Sequence, residues 1–148
     1  MKKYRFVSNN IDMASESCGN VKDSFSCYEV IKEIYKKEEL DIDLFESCFA
    51  VYLDRSYRAI GFLKIAEGGI DGVVCDIRKV FTGALESMAT AFVFTHNHPS
   101  GSLRPSQEDK DLTKRLKEAG KIMGIQLMDH LIVTKDAYFS FAESRMLN

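Results

Sequence analysis

Apolar and polar residues alternate with several different periods along the chain, and each change of period marks an element. Residues 9–25 are polar, with Asn, Ser and Gly throughout, and predict irregular backbone. Ser26-Cys-Tyr-Glu29 has the spacing of a capping box, in which a hydroxyl and a carboxylate three residues on satisfy free N–H groups at a helix start. Val30, Ile31, Ile34 and Tyr35 continue it as a helical stripe, and Lys36 and Lys37 suit its C-terminal end. Ser47–Leu53 is a compact β-like run, Asp54-Arg55-Ser56 a turn and Arg58–Ala66 a second strand, so an antiparallel hairpin is expected, ended by Gly68-Gly69.

Asp76 can cap a helix whose Ile77, Val80, Phe81, Ala84, Leu85 and Met88 recur at three- and four-residue steps. Ala91–Thr95 is a short apolar strand. Ser106 reads as the N-cap of a further helix, with Leu112, Leu116, Ala119 and Met123 as its buried stripe and Gly124 as its end. Ile125–Thr134 and Ala137–Phe141 read as closing strands. The expected class is therefore α/β, a mixed β-sheet flanked by helices.

Composition narrows the picture. A chain of 148 residues, 45% hydrophobic and 28% charged, suits one domain with a real core. Residues 26–148 are expected to form it, behind an irregular N-terminal segment, 1–25. The net charge of −2 lacks the basic surplus of a dedicated nucleic-acid binder. Lys114, Arg115 and Lys117 alternate with apolar residues as a solvated helix face would. MKKYRFVSNN has no apolar region of a signal peptide, and no run approaches the roughly 18 apolar residues of a membrane span. Cys18, Cys27, Cys48 and Cys75 are scattered without a CxxC pair and read as reduced thiols. A soluble, cytoplasmic protein is the expectation.

Both prolines, Pro99 and Pro105, fall within FTHNHPSGSLRPSQED, residues 94–109, so one irregular loop is expected there. His96 and His98 sit at the strand end, where alternate residues point the same way. Both imidazoles can therefore reach one ion. Asp109 lies in the first turn of the next helix, and the turn between can fold it back towards them. His, His and Asp form a donor set suited to Zn²⁺ with a fourth position open to water. Ser106 and Asp109 also have capping-box spacing, so both could serve as helix punctuation alone. The two roles are compatible, because a cap can position a ligand.

His96-Asn-His98, seven residues, Ser106, two residues and Asp109 match the H-x-H-x7-S-x2-D signature of the JAMM (MPN+) metalloprotease superfamily. HNHPSG, PSQED and LMDHLIV resemble the bacterial RadC family more narrowly, over roughly residues 44 to 143. The resemblance implies a JAMM/MPN fold, similar to cytidine deaminase, and a zinc ion on His96, His98 and Asp109. It also requires an upstream glutamate, and chemistry asks for a base to move the water's proton. Glu46, Glu67 and Glu86 precede His96. FESCFAVYLD resembles the glutamate-bearing first strand of the family, which selects Glu46 as the base. Ser106, carried over from the signature, would donate a hydrogen bond to the oxyanion. His130 matches the family pattern too, but a histidine within an apolar strand reads as structural, or at most as a support to a ligand.

The leading expectation is a JAMM-type zinc hydrolase that cleaves a peptide or isopeptide amide. The alternative is a DNA-repair or recombination accessory protein with a structural or vestigial metal site. A peptide or protein substrate is the expected partner, and a homodimer is compatible with these features. Autonomous nucleic-acid binding is not expected, because the helix-hairpin-helix region of longer RadC proteins is missing here. Lys79 also departs from the family, which typically has Glu after the arginine at Arg78.

Overall fold

Two fully buried strands, Ser47–Leu53 and Ala91–Asn97, lie side by side at the centre of the structure. Burial on both faces explains why each reads as an almost unbroken apolar run instead of alternating. The computed structural model describes residues 11–12, 21–68 and 74–147. Its elements in chain order are β1 (Ile11–Asp12), α1 (Ser24–Lys37), β2 (Ser47–Leu53), β3 (Ala59–Glu67), α2 (Ile77–Glu86), β4 (Ala91–Asn97), α3 (Gln107–Met123), β5 (Gln126–Val133) and β6 (Tyr138–Ser140). They build the mixed sheet with flanking helices that the sequence predicts.

The strand order is β1-β3-β2-β4-β5-β6. All pairings are antiparallel except β4–β5, whose parallel connection runs through α3. One face carries α1, whose Cys27, Ile31, Ile34 and Tyr35 pack on Phe49, Val51, Val93 and Leu131. The other carries α2 and α3, whose Val80, Phe81 and Leu116 pack on Ala50, Tyr52, Phe92 and Phe94. Successive residues of β2 and β4 are thus split between two cores.

Three differences from the sequence reading have physical causes. Helix α1 starts at Ser24, capped by Asp23, whose carboxylate accepts the Ser26 N–H at 2.7 Å. Ser26 therefore lies in the first turn and its hydroxyl donates to Asp23, so the Ser26–Glu29 pair is not a capping box. Ile11–Asp12, placed in an irregular stretch, pair with Leu63 and Phe62 of β3. Most of that stretch, with Cys18, lies outside the described residues, as does Gly69. The third difference is a register shift in β5: Phe92 faces Leu127, but Val93 faces Asp129. The extra residue, Met128, moves Asp129 to the α1 face and His130 to the α2–α3 face.

The other caps follow the sequence. Asp76 accepts the Arg78 N–H, and Gly124 ends α3 in the left-handed region at φ 70°. No helix among the described residues is long and apolar enough to cross a membrane.

Candidate metal centre

The C-terminal end of β4 delivers two histidines to one side of the sheet. His96 and His98 are two residues apart, and Asn97 between them faces α1. The turn after β4 is held by the Gly101 N–H, which donates to the His98 carbonyl at 3.0 Å. Gly101 has φ 83°, which glycine adopts freely. The chain then enters α3 through Ser106, where both halves of a capping box form. The Asp109 N–H donates to Ser106 Oγ at 3.0 Å, and the Ser106 N–H donates to Asp109 Oδ2 at 2.9 Å.

That box does not consume Asp109. Its Oδ1 lies 3.2 Å from His96 Nε2 and its Oδ2 3.4 Å from His98 Nε2, while the two Nε2 atoms are 3.0 Å apart. The capping residue and the residue that faces both histidines are one and the same. Donors about 2.1 Å from a tetrahedral zinc would stand about 3.4 Å from each other, so this triangle fits one small cation. Its chemistry says the same. His98 Nδ1 is 2.8 Å from the Ser102 carbonyl, which can only accept, so Nδ1 carries the proton. The neutral ring then presents a bare Nε2 to a carboxylate, and two acceptors in contact require a cation between them. Without a metal, a proton serves: the hydrogen bond to Asp109 raises the His98 pKa despite burial. Burial pushes the Asp109 carboxyl up, but its contacts with the His96 and His98 imidazoles outweigh it and hold it well below the usual carboxylate range.

Glu46 approaches from the neighbouring strand. Cys48 pairs with His96 across β2 and β4, so Glu46, two residues earlier, falls beside His98. Ligand atoms of Glu46, His96 and His98 all lie within 4.8 Å of one another, a second group that could hold a metal ion. Gly68 N–H donates to the Glu46 carbonyl at 2.6 Å. Ser106 is exposed, and the cap uses its oxygen but not its hydroxyl proton. His96, His98 and Asp109 thus meet directly, Glu46 joins the histidines, and Ser106 stands at the rim through its bond to Asp109.

Asn97, His130 and Thr113 escaped the sequence reading or were given too little. Asn97 is fully buried; its amide donates to the Ile42 and Phe45 carbonyls at 2.8 and 2.7 Å. Its oxygen accepts from the Ser47 N–H at 2.8 Å and the Tyr35 hydroxyl at 3.0 Å. The residue between the two histidines therefore clamps the segment that carries Glu46. His130 is completely buried, 2.8 Å from His96 Nδ1 and in contact with the Thr113 hydroxyl. Burial, with the adjacent His96, drives its pKa well down, so the ring is neutral. The available signal was Asp129-His130, two adjacent polar residues inside an apolar strand; both are buried, so they serve opposite faces.

The fold and site define an α/β domain with a candidate metal centre at the end of a central strand. The chain belongs to the RadC-like JAB domain family, whose model matches residues 21–146. A UPF0758 protein of Flavobacterium johnsoniae is 43% identical over 98 residues, which cover 66% of this chain and 43% of that protein. A UPF0758 protein of Syntrophomonas wolfei is 36% identical over 146 residues, covering 95% of this chain and 62% of the relative. One from Trichlorobacter lovleyi is 42% identical over 102 residues, 69% of this chain and 44% of the relative. The chain spans about half the length of the curated relatives it matches.

Proposed function

We propose that this domain is a zinc-dependent hydrolase of the JAMM type acting on a peptide or isopeptide amide. The observation that carries the reading is the convergence of His96 Nε2, His98 Nε2 and the Asp109 carboxylate within 3.0 to 3.4 Å, with Glu46 beside them. His96, His98 and Asp109 would hold the ion. Zinc, when bound, supplies Lewis acidity towards water and a carbonyl oxygen. Glu46 takes the proton of the attacking water and returns it to the departing nitrogen. Ser106 donates its free hydroxyl proton to the oxygen on which charge develops. Asn97 keeps the Glu46 segment against the histidines throughout. The free thiols Cys27, Cys48 and Cys75 favour a reducing, cytoplasmic setting.

The test combines metal analysis with turnover. Wild type should contain stoichiometric zinc and His96→Ala none. In a screen of amide and nucleic-acid substrates, wild type should cleave an amide and Glu46→Gln should fail while keeping its metal. A wild type without metal would end the catalytic reading. Metal retained with no hydrolysis of any substrate would shift weight to a DNA-repair accessory role.

A further inference from the structure

The contacts behind His96 form a chain in which each proton has only one place to be. Thr113 Oγ lies 2.7 Å from the Asp109 carbonyl oxygen, which can only accept, so the hydroxyl proton is committed there. The same Oγ is 2.5 Å from His130 Nδ1, and that contact now needs a proton on the ring nitrogen. His130 is completely buried and hydrogen-bonds no carboxylate with its ring, so it is neutral and its Nε2 is a bare acceptor. His96 Nδ1, 2.8 Å away, must supply the proton between them. The remaining nitrogen of His96, Nε2, then points a lone pair at His98 and Asp109.

We propose that Thr113 and His130 are positioning residues that fix His96 as its Nδ1–H tautomer and so aim Nε2 at the metal. This rests on the metal-site reading above. A metal-bound histidine usually gives its second N–H to a carboxylate, a carbonyl or water. Here it gives it to a second imidazole, and the relay ends on the main chain of Asp109, whose side chain lines the same site. Packing holds the His130 ring at the required angle: it stacks on Phe141 at 4.6 Å and 4°, and meets Phe94 edge-on at 5.0 Å. The register shift at Met128 is what brings His130 to this face.

Nitrogen-15 spectra of the imidazoles, recorded on metal-free protein at mildly alkaline pH, read the tautomers directly. Zinc titration calorimetry then reads affinity. Wild type and Thr113→Ser, which keeps the hydroxyl, should both show His96 as Nδ1–H and bind zinc alike. Thr113→Val has nearly the same shape but no hydroxyl; its His96 should exchange between tautomers and bind zinc about 10- to 100-fold more weakly. Wild-type His96 found as the Nε2–H form would overturn the proposal, whatever any variant does. Zinc affinity untouched by Thr113→Val would overturn this proposal alone. A wild type that takes up no zinc would overturn the reading of the site beneath it and this proposal with it.

Discussion

Asp109 and Asp129 are both withdrawn from water, yet their surroundings are opposite in kind. Each oxygen of Asp129 receives two donors. Oδ1 accepts the His130 and Ala142 N–H groups at 2.7 and 3.0 Å, and Oδ2 accepts the Ser24 and Ser140 hydroxyls at 2.8 and 2.6 Å. Asp109 has one main-chain donor, from Ser106, and otherwise faces imidazole nitrogens. Burial lifts the Asp129 carboxyl, whereas at Asp109 the histidines reverse the effect of burial. Burial and hydrogen-bond count therefore do not mark a site. What marks it is a shortage of protons among atoms in contact, since acceptors facing acceptors need a cation.

The comparison breaks most visibly if the cation can be lost without consequence. Zinc at about 100 times its dissociation constant should stabilise the wild type by about 2.7 kcal/mol, because only the folded chain assembles the donors. His96→Ala should show no stabilisation and hold no metal. Thermal melts with and without zinc check this; equal stabilisation of the variant would mean that the ion sits elsewhere. At the saturated carboxylate the pattern should reverse. Asp129→Ala strands two N–H groups and leaves the Ser24 and Ser140 hydroxyls, 3.0 Å apart, only each other; it should cost about 3 kcal/mol in urea unfolding, with zinc affinity essentially unchanged.

Asn97 sharpens the contrast, because it sits between His96 and His98 at the end of β4 but faces the saturated side. Asn97→Ala releases the Ile42 and Phe45 carbonyls and the Ser47 N–H, and should cost about 2 kcal/mol. Metal should remain bound, while turnover falls because Glu46 loses its support. Loss of metal in this variant would show that the two faces are not separable.

The two faces were not equally legible in the sequence. Apolar runs and caps placed β2, β4, α2 and α3, because those signals are local. His96, His98 and Asp109 were readable for the same reason: strand alternation, one turn and one capped helix link them. Glu46 was not readable from spacing. It reaches His98 through the register of β2 on β4, some fifty residues apart, and only family resemblance picked it out. The β5 register shift has no sequence signature, so the face of His130 could not be assigned. The Asn97 amide clamp depends on carbonyls of a distant loop, which no local pattern reports.

The smallest expected effect tests the sign of the two carboxylates. Burial raises the Asp129 carboxyl above its ordinary value, so the folded protein binds that proton more tightly than the unfolded chain does. Asp129 therefore contributes stability below the ordinary carboxylate value, and the contribution is lost as pH rises through the raised folded value. In Asp129→Asn the amide oxygen can accept both N–H groups and its nitrogen can donate to the serine oxygens, with no titration. From about pH 4 to pH 7 the variant should thus gain stability relative to wild type. Asp109 is lowered, so its contribution is present above the ordinary value and lost only as pH falls towards the folded one. As pH rises from about 2 to about 4, metal-free Asp109→Asn should accordingly lose stability relative to wild type. Urea unfolding across the two ranges reads both slopes, and slopes of the same sign would mean that the two carboxylates are held alike after all.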